Sequence, residues 1–333
     1  MSAPSSTFWY GVLASFSVYM THSIFTKLSL GSGRVRGQPR DKATGQFVTL
    51  SYGETHYRIH GADGSPKLNP VRPLIILVHG FAGSSNCWEV SLYNKTLSDA
   101  GYDVLSYDNW GHGYSEGPDC AYSAELFSSQ LAELLVALDI SKPFDLLGFS
   151  LGGAIVSVFA HRYPRRIKKI IYQAPSVARG SKLKALPLAL VSNIPFLREL
   201  LCILIIPHFG EGANSDNSAV VRAAYRLIET STSFHNMNSW LLSGHSEDLF
   251  KDIVTVQRKE VMFLWGDSDN AVDIRESKRL REIAPDAPFV TAEGGDHMTF
   301  AELDTEKGRR IGELFRSSLI KYLKGEEVIN VEM

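Results

Sequence analysis

Ser150, Asp269 and His297 are the residue types that together can attack a carbonyl, and each lies in a stretch that could hold it for that purpose. Ser150 is centred in Gly148-Phe149-Ser150-Leu151-Gly152. At this G-x-S-x-G spacing a serine can stand on a sharp turn between a strand and a helix, with its hydroxyl clear of the backbone. A serine hydroxyl is a poor nucleophile until an imidazole takes its proton, and the imidazole needs a carboxylate to fix its tautomer. His297, in Gly294-Gly295-Asp296-His297, is the candidate base. Carboxylates are more numerous: Asp267, Asp269 and Asp273 share one loop, and Asp296 adjoins the histidine. Asp267 is close enough to a strand end to tie down its own turn, and Asp273 suits the start of a helix. Asp269 is the candidate acid, chosen over these and Asp296. An oxyanion needs backbone N–H donors. Leu151, directly after the serine, and Phe81, in His79-Gly80-Phe81, are the candidates. His79, His112 and Asp108 suit loop organisation better than catalysis.

These residues are useful only if the chain brings them together, and its hydrophobic pattern predicts how. Gln46 to Ser51 and Thr55 to His60 form a predicted hairpin around Tyr52-Gly53. Leu74-Ile75-Ile76-Leu77-Val78 is a continuous apolar run, as in a strand covered on both faces. Predicted elements then alternate: a helix from Trp88 to about Leu97, a strand over Tyr102–Tyr107, a helix opened by Ser123 and Glu125, the strand into Ser150 with its helix, and a strand over Ile167–Tyr172. This rhythm implies a mostly parallel sheet flanked by helices. It lapses from about 178 to 258, where Leu183–Val191, Phe196–Ile206 and Ala219–Glu229 read as helices of an inserted cap. It resumes with strands over Val261–Trp265 and Pro288–Thr291, a helix near Ile274–Ile283, and a closing helix striped with Ile311, Phe315 and Leu319. Ser150, Asp269 and His297 thus all follow strand ends, where parallel sheets gather function.

The chain has 333 residues and a net charge of -2, with no basic stripe, which excludes a nucleic-acid partner of the electrostatic kind. Cys87, Cys120 and Cys202 are scattered, without zinc or disulfide spacing, and no metal or cofactor is expected. Residues 8–28 begin with the uncharged run Phe8–Met20, and basic residues come after that run, at Lys27, Arg34, Arg36 and Arg40. The expectation is a membrane anchor that leaves the folded part cytoplasmic. The alternatives are a helix packed on the protein or a targeting segment; the alternative location is cytoplasmic without an anchor.

Taken together, His79-Gly80-Phe81, Asp108-x-x-Gly111-x-Gly113-x-Ser115, Gly148 to Gly153, Gly266-x-x-Asp269-x-x-Val272 and Asp296-His297 resemble the α/β-hydrolase superfamily over roughly residues 45–325. Within it the chain is similar to capped lipases and esterases, monoacylglycerol lipases among them. The resemblance implies an α/β-hydrolase core over 45–177 and 259–325 and a helical cap over 178–258. A hydrophobic segment and linker over 1–44 and a tail over 326–333 complete the chain. It also implies a Ser150–His297–Asp269 triad, which at a serine elbow argues against epoxide hydrolases and haloalkane dehalogenases. The expected substrate is a small-molecule or lipid ester of monoacylglycerol type, suggested by the apolar cap and leader. A C–C bond hydrolase of ring-cleavage products, an acyltransferase and a non-catalytic ligand-binding protein are the competing expectations.

Overall fold

The computed structural model describes residues 34–35, 40–81, 83–118, 120, 122–177, 247–255, 257–269, 271–272 and 274–328. The expectations for residues 1–33 and for the cap helices over 183–229 lie outside the described residues. Ten strands are described: β1 (Arg34–Val35), β2 (Gln46–Leu50), β3 (Gly53–His60), β4 (Leu74–Val78), β5 (Asp103–Tyr107), β6 (Gly117–Pro118), β7 (Phe144–Phe149), β8 (Ile167–Gln173), β9 (Glu260–Gly266) and β10 (Phe289–Ala292). The helices described are α1 (Asn86–Val90), α2 (Tyr93–Asp99), α3 (Ala124–Ala137), α4 (Leu151–Arg162), α5 (Glu247–Thr255), α6 (Arg275–Ile283) and α7 (Glu306–Lys324).

Eight strands form one sheet in the order β10-β9-β8-β7-β4-β5-β3-β2. From β5 to β10 every pairing is parallel, while β3 runs antiparallel to both β2 and β5. Every residue of β4, β5 and β7 is buried, as their apolar composition requires of central strands. The chain passes from β4 to β5 on one side and returns to β7 on the other. Strand order therefore reverses at β4, and a crevice opens there at the carboxyl ends. Val78 pairs with Gly148, Phe149 with Gln173 and Gly266 with Ala292, so these strands finish along one edge.

α7 is capped by Thr305, whose hydroxyl accepts from the Gly308 N–H at 2.9 Å. Its stripe of Ile311, Phe315, Leu319 and Leu323 is buried in the core, each side chain contributing about 1.5–3 kcal/mol.

One expectation is corrected, and two further stretches make contacts that the sequence did not announce. The single helix expected from Trp88 to Leu97 is two, because Leu92 adopts φ 60° between α1 and α2. The break is tied down from a distance, since the buried Arg316 of α7 donates to the Ser91 carbonyl at 2.8 Å. The described residues of the segment and linker expected over 1–44 are engaged with the core at two points. Arg34 and Val35 pair with Pro118 and Gly117, and Arg40 pairs with Glu54 and lies over the Phe47 ring. Lastly, α5 falls within the range expected for the cap, yet Phe250 and Ile253 are fully buried in the core. Phe250 packs edge-on against Tyr172 of β8 and Phe263 of β9. Among the described residues no helix is long and apolar enough to cross a membrane.

Candidate active site

Ser150 lies between β7 and α4 with φ 52° and ψ −117°, a conformation costly for a residue with a side chain. The surroundings hold it there. Its N–H donates to the Gln173 carbonyl at 3.0 Å, and its own carbonyl accepts from Gly153 and Ser176 at 2.8 and 2.9 Å. The turn closes only because Gly148 lacks a side chain, whose Cβ would fall 2.5 Å from the Gly152 carbonyl oxygen. Although Ser150 occupies the position before a helix where serine usually caps, its hydroxyl makes no capping bond. Leu151 is the first helical residue, where an N–H has no intrahelical acceptor.

The loop after β4 presses against this turn. A Cβ on Gly80 would lie 2.9 Å from the Ser150 Cβ, so only glycine lets the Phe81 segment approach so closely. His79 organises that loop. Its Nε2 accepts from the Asn109 N–H at 2.9 Å, so the hydrogen is on Nδ1, which donates to the Gly80 carbonyl at 2.8 Å. Burial pushes the ring's pKa down, matching a neutral structural imidazole. His112 likewise donates from Nδ1 to the Trp110 carbonyl at 3.0 Å, and burial holds its pKa at about 3.

Asp108 knits these segments. Its carboxylate accepts from the Ser85 and Tyr114 N–H groups and from His56 Nδ1 at 2.6, 2.9 and 2.9 Å. Burial works to raise its pKa, but the hydrogen bond and charge of His56 outweigh that and hold it below the usual range. His56 is a residue that sequence reasoning missed. Its second nitrogen contacts the Thr44 carbonyl at 2.9 Å, and nothing in an alternating strand distinguishes such a histidine.

Asp269 follows β9 and His297 follows β10. Asp269 Oδ2 lies 2.7 Å from His297 Nδ1, while Oδ1 accepts from the Ala271 and Val272 N–H groups, both at 2.9 Å. A carboxylate can only accept here, so Nδ1 carries the hydrogen and Nε2 is left as the basic nitrogen. The competing carboxylates are otherwise occupied. Asp267 accepts from the Gly294 N–H at 2.7 Å and from the Ser268 hydroxyl, and Asp296 accepts from the Met298 N–H and the Thr299 hydroxyl. Asp273 lies outside the described residues. Phe149, next to the serine, places its ring 4.8 Å from the His297 ring, which brings the loop after β10 to the turn after β7. Trp88 is fully buried between Tyr93 and Phe149. Among the described residues no group of three His, Cys, Asp or Glu side chains could hold a metal.

A mostly parallel sheet with a strained serine turn beside its point of reversal, and an acid and a histidine after its last two strands, is the architecture of the α/β-hydrolase fold. Known proteins agree. A sequence model of the alpha/beta hydrolase fold matches residues 73–199. Lipase 1 of Psychrobacter immobilis is 23% identical over 273 residues, covering 79% of this chain and 82% of its own. An uncharacterized protein of Mycobacterium tuberculosis is 23% identical over 265 residues, covering 73% of this chain and 75% of its own. The solved structure of the enol-lactonase from Burkholderia xenovorans superposes with a TM-score of 0.69 at 19% identity, covering 84% of this chain and 100% of its own. The chain thus has the α/β-hydrolase fold, and its residues 73–199 match the sequence model of that fold.

Proposed function

We propose that the protein hydrolyses carboxylic esters through an acyl-enzyme on Ser150. The observation that carries this reading is the Asp269–His297 contact at 2.7 Å, set on the same sheet edge as a strained, uncapped serine. His297 Nε2 takes the Ser150 proton as Oγ attacks the ester carbonyl. Asp269 holds the ring by its Nδ1 hydrogen and stabilises the imidazolium that forms. The N–H groups of Leu151 and Phe81 receive the developing oxyanion. Collapse expels the alcohol, which takes the proton from His297; water activated by the same nitrogen then releases the acid and restores the serine.

Substrate class rests on two weaker supports: the lipase among the relatives and the apolar stretches at 8–20 and 200–206. They favour lipid-like esters of monoacylglycerol type, with residues 8–28 attaching the enzyme to a membrane and its catalytic part in the cytoplasm. A fluorophosphonate probe should label Ser150. Ser150→Ala should abolish labelling and lower ester turnover by about 10⁴-fold or more. Turnover should rise from acetyl toward medium and long acyl chains; a preference for acetyl esters would reject the lipid assignment while leaving the serine mechanism standing.

A further inference from the structure

Phe149 is buried, with 4% of its surface exposed, so it is not the wall of an open acyl pocket. Its ring instead packs against the loop after β10 and the loop after β4, both used by the proposed mechanism. It lies 4.8 Å from the His297 ring at an interplanar angle of 33°. It meets Phe300, just past His297, at 5.1 Å and Trp88, behind the loop after β4, at 6.4 Å. A Cβ on Gly80 would sit 3.1 Å from its Cδ1. Its backbone leads directly into Ser150.

A single hydrogen bond to Asp269 fixes where the imidazole is held but leaves it free to tilt about that bond. A ring packed against the imidazole at 33° restricts that tilt. The same ring offers the negative face of its quadrupole to a group that becomes a cation in every turnover, inside the roughly 6 Å range of such attraction. From the geometry we infer that Phe149 is a positioning residue for His297, holding the imidazole's orientation and stabilising its protonated form. The inference rests on the serine mechanism proposed above.

The other charged and titratable groups around His297, apart from Glu302, are fixed by their own bonds. Asp269 sits at Nδ1, and Asp296 is taken by Met298 and Thr299. Asp267 is bound to Gly294, whose carbonyl accepts from Lys307. His79 faces Asn109 and Gly80 on the far side of the serine turn. Glu302 closes the short helical turn Thr299–Ala301, and burial, with the charge of Asp296, pushes its pKa up to about 7. None of these bonds involves the Phe149 side chain, so altering its ring electronics leaves them in place.

The test is a near-isosteric series in the full-length protein, with Phe149 replaced by its 4-fluoro, 3,5-difluoro and 3,4,5-trifluoro forms. Fluorine drains the ring face without changing its packing. A weaker hold on the imidazolium lowers the pKa of the base, and activity requires the base neutral. The acid limb of kcat/KM should therefore move stepwise to lower pH, by about 0.3–0.7 unit across the series. The plateau kcat should fall about 2–5-fold while KM stays constant. Phe149→Leu should lose about 10–100-fold in kcat, and Phe149→Tyr should restore it to within about threefold. If the limb and kcat stay fixed along the fluorinated series, Phe149 is packing and the inference is overturned, even should Phe149→Leu fail to fold. Ester turnover retained by Ser150→Ala would instead overturn the serine mechanism itself, a result independent of the fluorinated series.

Discussion

Asp269 differs from its neighbouring carboxylates in what its two oxygens meet. One accepts from the backbone of its own loop and so cannot swing; the other is thereby aimed at His297. Replacing it with asparagine preserves shape but lets an N–H₂ group face Nδ1, which favours the wrong tautomer and removes the countercharge. Asp269→Asn should lower kcat by about 10³–10⁴-fold with little change in thermal midpoint. Asp267→Asn and Asp296→Asn should each stay within about tenfold, since their contacts are to loop backbone and hydroxyl groups. Steady-state kinetics on one chromogenic ester decides among the three; a larger loss at Asp296 than at Asp269 would reverse the assignment. The placement of Ser150 and His297 at strand ends was legible from local pattern, because flanking glycines and apolar runs mark those ends. The choice among four aspartates was only partly legible. It depends on which oxygen points across to another loop, and spacing along one loop does not encode that.

At the scale of elements, boundaries were readable where side chains announce them and missed where distant contacts impose them. Ser123 and Thr305 begin helices as their types suggest, accepting from Leu126 and Gly308. The break at Leu92 has no breaker residue; it is imposed by Arg316, more than two hundred positions away. The end of α3 is a further case. Ile140 donates to Leu135 and Asp139 to Val136, the pair of bonds that closes a helix with one residue in the left-handed region. α7 uses Gly325 there, at φ 75°, but α3 uses the exposed Asp139 at φ 52°. A Cβ in that region costs about 1–2 kcal/mol, partly offset by the greater chain entropy of glycine. Asp139→Gly should therefore raise stability by about 0.5–1 kcal/mol, read as a higher denaturant midpoint at unchanged slope, with ester turnover unaltered. A lower midpoint would show that the aspartate carboxylate contributes more at this turn than its strain costs.

Across the whole molecule, the alternation of strand and helix made the parallel core legible. The packing of α5 into that core was not, because its Phe250 and Ile253 meet β8 and β9 only once the sheet is assembled. The same assembly separates function from stability along a single strand. β7 ends at Phe149, beside the serine, but near its start it buries Asp145, 5% exposed, at the opposite edge of the sheet. Burial pushes that carboxyl up to about 6. The Lys169 N–H at 3.1 Å and the charges of Lys168 and Lys169 pull the other way without prevailing, and Glu260 adds to the rise. A folded-state pKa above the unfolded value of about 3.9 means that the folded protein binds the proton more tightly. Ionisation of Asp145 therefore costs stability above about pH 6, and that loss is recovered as pH falls toward 4. Asp145→Asn keeps an oxygen for the Lys169 N–H and cannot ionise. It should be more stable than the parent by about 2 kcal/mol at pH 7–8, with the advantage shrinking to nothing by about pH 4. Taking the difference between the two proteins at each pH cancels the groups they share, including Asp108, whose depressed pKa weakens both alike in acid. Denaturant midpoints measured from pH 4 to 8 give that difference directly, and a gap that does not vary with pH would refute the assignment. Ester turnover should be the same in both, because the altered carboxyl lies a full strand length from the serine.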